Sequence, residues 1–164
     1  AVSLGARAGR AWQRGRFEGP YLRDELLDLG YVVETLETAH TWTRLGELYE
    51  AVRGAIDAAL EGQGTPGLTF CHVSHAYRDG ASLYFTFIAR RRPGEEIDQW
   101  RAVKDAASEA IVRTGGTITH HHAVGRDHAP YMRGEIGELG LAALRAVKER
   151  LDPAGIMNPG KLLA

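Results

Sequence analysis

The run YVVETLET, from Tyr31 to Thr38, is dense in β-branched residues and predicts a strand. A helical period takes over between Trp42 and Glu61, where Leu45, Leu48, Tyr49, Val52, Ile56, Ala59 and Leu60 share one stripe and Gly62 and Gly64 supply the stop. Gly67 to Ala76 and Ala81 to Ala89 return to strand character, and the turn Tyr77-Arg78-Asp79-Gly80 between them makes a hairpin. A second helix follows from Glu95 to Thr114, with Ile97, Trp100, Val103, Ala107 and Ile111 inward and Gly115-Gly116 at its end. Thr117 to His121 reads as a short strand. A last helix from Glu135 to Leu151 carries Leu141, Leu144, Val147 and Leu151 on one side, is stopped by Asp152-Pro153, and leaves an irregular tail, AGIMNPGKLLA.

The order β-α-β-β-α-β predicts an α+β fold of the ferredoxin-like, split βαβ kind: an antiparallel sheet with both helices on one face and the other face free to cover a ligand. Three segments are expected: residues 1–30 as a connecting piece, 31–122 as the βαββαβ unit, and 123–164 as a helical segment and tail.

Composition narrows the partners. With 164 residues, 44% of them hydrophobic and 25% charged, the chain can bury one good core. A formal net charge of -1 offers no bulk attraction to nucleic acid or to anionic membranes. The lone Cys71 can form no internal disulfide and no cysteine pair has a metal-binding spacing, which fits a reducing compartment. No apolar run approaches the roughly 20 residues of a membrane span, and no signal-peptide pattern opens the chain, so a cytoplasmic location is expected. The opening GARAGRAWQRGRFEGP has neither helical nor strand period and begins without Met, so the chain reads as the middle of a longer polypeptide.

Chemistry concentrates in a few places. On a strand, alternation sends His120 and His122 to one face and His121 to the other, so the three are not expected to form one cluster. Diverging neighbours chelate poorly, and a metal would need a carboxylate or a distant histidine, so no metal is expected at His75, His120, His121 or His122. The bland alternative is a polar strand end with solvated imidazoles. In ASLYFTFIA, Leu83, Phe85 and Phe87 share the core face, which turns Tyr84 toward the free face, where its hydroxyl can meet a ligand. Arg23 is most simply a surface residue beside Asp24 and Glu25, and Arg90 to Arg92 a solvated connection. GARAG follows no strand and is no dinucleotide fingerprint.

Two strings, GGTITHHHAVGRDHAPYM and ALRAVKERLDPAGIMNPGKLL, resemble the C-terminal part of FAD-linked oxidases of the vanillyl-alcohol oxidase superfamily. The histidine triplet, with YLRDELLDLGYVVETLETAHTW and CHVSHAYRDGASLYF, is similar to the alkylglycerone-phosphate synthase branch. That resemblance implies an FAD-dependent enzyme whose N-terminal FAD-binding domain lies outside this chain, roofed by the βαββαβ cap, with a tail that returns to the FAD domain. It implies exchange of an acyl group for a long-chain alkyl group on glycerone phosphate through a flavin N5 adduct, a step of ether-lipid synthesis. The alternative is oxidation of a hydroxylated, small or lipid-like substrate by an FAD-linked oxidase or dehydrogenase.

Carried over by motif, Tyr84, His120, His121 and His122 are the catalytic candidates, Arg23 holds the substrate phosphate, and His122, Asn158 and Lys161 face the cofactor. Relatives that oxidise 2-hydroxy acids bind a metal through two histidines and a glutamate. Tyr84 and His121 stand near two of those places here, so that site is expected to be absent. Ala123 replaces the glycine usual after the triplet, which leaves the substrate open, as is a homodimer. A free-standing ligand-binding module is the non-enzymatic reading, and the Asn-Pro-Gly-Lys tail speaks against it.

Overall fold

The computed structural model describes residues 5–163. Its elements run α1 (Gly5–Gly15), α2 (Gly19–Asp28), β1 (Tyr31–Thr41), α3 (Leu45–Gly62), β2 (Leu68–Ala76), β3 (Gly80–Arg90), α4 (Glu96–Thr114), a 3-10 turn (Ala129–Tyr131) and α5 (Met132–Leu151). The three strands form one antiparallel sheet in the order β1-β3-β2. This is the mixed α and β architecture that the periodicity predicts.

Alternation along the strands sorts the two faces. Leu83, Phe85, Phe87 and Ala89 of β3 lie with Val32 and Leu36 of β1 against Leu48, Val52, Ile56 and Leu60 of α3 and Val103, Ala107 and Ile111 of α4. Phe85 and Phe87 are fully buried. The other face carries Val33, Thr35 and Glu37 of β1, Tyr84, Thr86 and Ile88 of β3, and Leu68, Phe70 and His72 of β2, in register as Glu37 opposite Tyr84 and Tyr84 opposite His72. Leu68 and Phe70 are exposed there.

Several expectations need correction. The opening segment forms α1 and α2, contrary to the expectation of no regular period. No side chain of either helix is buried, so neither is anchored in the core, but α1 sets Arg7, Arg10 and Arg14 at helical spacing along one face, a polar period the sequence does carry. The helix expected from Trp42 starts at Leu45, because the Trp42 indole instead donates to the carbonyls of Tyr77 and Arg78 and ties β1 to the hairpin turn. The last helix begins at Met132 rather than Glu135 and bends at Gly137, whose φ of 70° is non-helical.

Thr117 to His121 is not a strand. Only two backbone bonds join it to β1, from Thr117 N–H to the Ala39 carbonyl and from His120 N–H to the Glu37 carbonyl. It thus lines the free edge of β1 at the place where a fourth strand would lie. Gly116 permits the approach, since a Cβ there would sit 2.8 Å from Leu48 Cδ1 and 3.0 Å from Thr38 Oγ1. Among the described residues, no helix is long and apolar enough to cross a membrane.

Phe85 is the test of this layering. Phe85→Ala should lower stability by about 3–5 kcal/mol in urea unfolding, the range for an aromatic removed from a closed core. A loss below about 1 kcal/mol would mean that the helices do not pack on this face.

Candidate active site

The geometry of the histidine triplet follows from how its segment leaves β1. An antiparallel ladder that pairs Thr117 with Ala39 would next pair Thr119 with Glu37. Here His120 does so instead, which places one extra residue on the outer segment, as in a β-bulge. Two residues later the backbone closes a tight turn, with His122 N–H donating to the His120 carbonyl at 2.7 Å and His121 at φ 44°. Alternation therefore ends at His120. All three imidazoles swing toward one point, contrary to the divergence expected of a strand.

That point is Glu37. Its side chain is 1% exposed, and four imidazoles face it: His120 Nδ1 at 3.1 Å and His75 Nδ1 at 3.3 Å from Oε1, and His121 Nε2 at 3.0 Å and His122 Nε2 at 3.2 Å from Oε2. The Ser74 hydroxyl donates to Oε1, and Ser82 links Ser74 to the His75 backbone N–H. Burial alone would raise the carboxyl pKa. The hydrogen bonds from Ser74, Ser82 and His120 and the field of His121 outweigh it and bring it down to about 2. Glu37 is thus a fixed anion at the centre of a ring of donors.

Around this centre the imidazoles differ. The Tyr77 hydroxyl reaches the far nitrogen of His120, Nε2, at 3.0 Å. His121 is 54% exposed. His122 is 33% exposed and meets the Tyr84 ring edge-on, with 5.8 Å between centroids. Burial lowers the His122 pKa first, opposed by Glu37 and assisted by His121, His128 and Lys104, so the net effect favours the neutral base. Behind it, the nearly buried Lys104 ammonium lies 3.4 Å from Asp127, which also pairs with His128.

Tyr84 stands on the free sheet face, between Glu37 and His72, as parity indicates. Arg23, on α2, donates through Nε to the Val33 carbonyl at 3.3 Å. Val33 lies four residues before Glu37, roughly 13 Å along the strand, so Arg23 does not belong to the histidine cluster. Asn158 and Lys161 line a separate, largely apolar groove of about 780 Å³ with Val124, Val147, Leu151 and Leu163. The buried Asp152 shapes that tail by accepting from the backbone of Ile156 and Met157.

Glu37 escaped the sequence reading, and His75 entered it only as a position where no metal is expected. The premise that no carboxylate faces the histidines is corrected by Glu37, and the distant histidine is His75. Ligand atoms of Glu37, His75, His120 and His121 lie within 4.8 Å of one another, a set that has the donors and spacing to hold a cation. Parity along β1 could have placed Glu37 on the free face. Its encounter with the triplet depends on the bulge, which leaves no signal in the sequence.

Because Glu37 is held near 2, against an ordinary 4.5, its ionised form stabilises the fold fully above pH 4.5, and that contribution is lost as pH falls from 4.5 toward 2. Wild type should accordingly lose stability more steeply across this window than Glu37→Gln, measured as urea midpoints against pH. Parallel curves would show that the carboxylate is not held as an anion.

Comparison with known proteins places this geometry. Residues 2–162 match the family described as FAD linked oxidases, C-terminal domain. The chain is 36% identical over 163 residues to an alkyldihydroxyacetonephosphate synthase of Trypanosoma brucei brucei and 32% identical to that of Dictyostelium discoideum, covering 99% of this chain and 27% of each relative. An uncharacterised FAD-linked oxidoreductase of Escherichia coli (strain K12) is 30% identical over 144 residues, which is 85% of this chain and 30% of the relative. A solved structure of alkyldihydroxyacetonephosphate synthase superposes with a TM-score of 0.65 at 26% identity, over 92% of this chain and 24% of that one. The chain thus spans about a quarter of the length of its synthase relatives, and it belongs to the FAD-linked oxidases as their C-terminal domain.

Proposed function

We propose that this chain is the substrate-facing roof of an FAD-dependent enzyme of the alkyldihydroxyacetonephosphate synthase kind, which exchanges the acyl group of an acylated glycerone phosphate for a long-chain alkyl group. The observation that carries the reading is the meeting of His122 and Tyr84 on the free sheet face, backed by a buried anion. A neutral imidazole beside a phenol can take a proton from the substrate carbon next to the ketone while the hydroxyl holds the neighbouring oxygen. FAD, when bound, supplies the electron sink.

The chain fits the flavin in one respect only. Tyr84, Thr86 and Phe70 offer a partly exposed surface suited to a planar ring. Among the described residues no glycine-rich turn follows a strand to cradle a pyrophosphate. The phosphates would be held by an N-terminal partner domain, with residues 31–122 as the cap and 123–164 as the returning tail. The groove beside Asn158 and Lys161 suits docking on that domain. Arg23 has one of its five N–H donors engaged by Val33, and the others are available to a substrate phosphate.

A second reading, oxidation of a hydroxylated substrate, draws on the similarity to the FAD-linked oxidoreductase of Escherichia coli. The same imidazole would then take a hydroxyl proton. Turnover with an electron acceptor and no fatty alcohol supports this reading, and turnover that requires the alcohol supports the first.

In the enzyme carrying its FAD domain, His122→Ala should reduce turnover by about 100-fold or more while flavin absorbance per protein stays unchanged. Loss of the flavin instead would make His122 a cofactor-holding residue. Titrated alone with FAD, this chain should bind weakly or not at all. Tight stoichiometric binding would contradict the division into roof and cradle.

A further inference from the structure

An ionised carboxylate only accepts hydrogen bonds, so an imidazole nitrogen hydrogen-bonded to it carries the proton. His120 meets that condition at Glu37 and is protonated at Nδ1, whereas His121 and His122 lie against Oε2 as close charge contacts. His120 then has no free nitrogen, because its Nε2 lone pair accepts from the Tyr77 hydroxyl. Of His121 and His122, His122 is the less exposed and the one in contact with Tyr84.

We propose that Glu37 is the positioning carboxylate of the site: it fixes His120 as a strut between Glu37 and Tyr77 and holds a negative charge against His122, which acts beside Tyr84 as the base. This rests on the reading that the histidines transfer a substrate proton. The proton leaves the substrate for the His122 imidazole, the bonding pair stays with the substrate, and the imidazolium so formed lies 3.2 Å from the Glu37 carboxylate, which offsets its charge until the proton is returned. The Ser74 hydroxyl and the Ser82 bridge keep the carboxylate from turning toward solvent. The groups facing His122 are Glu37, His121, His128, Lys104 and Tyr84. Of these only Glu37 is an anion in direct contact, so the basicity of His122 depends on it.

The test uses the full-length holoenzyme with Glu37→Gln, Glu37→Asp, Tyr77→Phe, His121→Asn and His122→Asn. Glu37→Gln keeps the shape and loses the charge. It should cut kcat by about 10–100-fold with KM and flavin content little changed, and should move the acid limb of kcat/KM to lower pH. Glu37→Asp should recover part of the rate and return the limb toward its wild-type position. Tyr77→Phe should leave the limb where it is, and His122→Asn should cost more than His121→Asn.

Ring-nitrogen NMR of 15N-histidine-labelled enzyme reads the tautomers without any turnover, and the Nδ1-protonated signal of His120 should broaden into a mixture in Glu37→Gln. That tautomer in wild type without either activity would sink the functional reading and leave the positioning role intact. A wild-type rate and limb in Glu37→Gln would overturn the proposal, as would a larger loss at His121 than at His122. Stoichiometric metal whose removal by chelator abolishes turnover would overturn it too, by making Glu37 a ligand.

Discussion

The site depends on one buried charge. A glutamate on a sheet face is ordinarily solvated, yet Glu37 is enclosed by four imidazoles and two hydroxyls. A carboxylate left unpaired there would carry a desolvation penalty of several kcal/mol. The donors around it remove that penalty and keep it ionised, and in doing so they are themselves fixed. The histidine triplet sits where it does because a buried anion needs partners, and the anion stays buried because the triplet supplies them.

The fold provides the conditions for that exchange. β1 is packed on its inner face by Leu36 beside Phe85, which leaves Glu37 pointing outward with little freedom. Gly115, in the left-handed region at φ 79°, ends α4, and Gly116 lets the next segment press against Leu48 and Thr38. From there two backbone bonds carry the chain along β1 to Glu37. The hairpin turn completes the ring, with His75 approaching from β2 and Tyr77 closing over His120. The far end of the same sheet face, with Leu68, Phe70 and Ile88, is apolar, so the face passes from ion-paired to greasy along its length.

Much of this was legible in the sequence. Period-two and helical patterns locate β1, β2, β3, α3 and α4 to within a few residues, because each buries one face on a common core. Parity placed Tyr84 on the free face. The motif of three histidines pointed to the family, which the domain match bears out. The arginine period of α1, which buries nothing, was overlooked, and structure that breaks its own period could not be read at all. The extra residue between Thr117 and His120, and the turn at His121, undo the alternation on which the separation of the histidines rested. Glu37 was hidden for the same reason, since three of its partners are assigned by the bulge and lie more than 80 residues downstream.

On the proposed reading, one face of one small sheet looks onto the flavin and Glu37 stands behind His122. A crystal structure of the full-length enzyme with FAD bound tests this most directly. Tyr84 and His122 should then lie in contact with the space above the flavin ring, with Glu37 against His122 on the side away from it. A flavin ring lying against α3 and α4, or a Glu37 turned away from all four imidazoles, would contradict it.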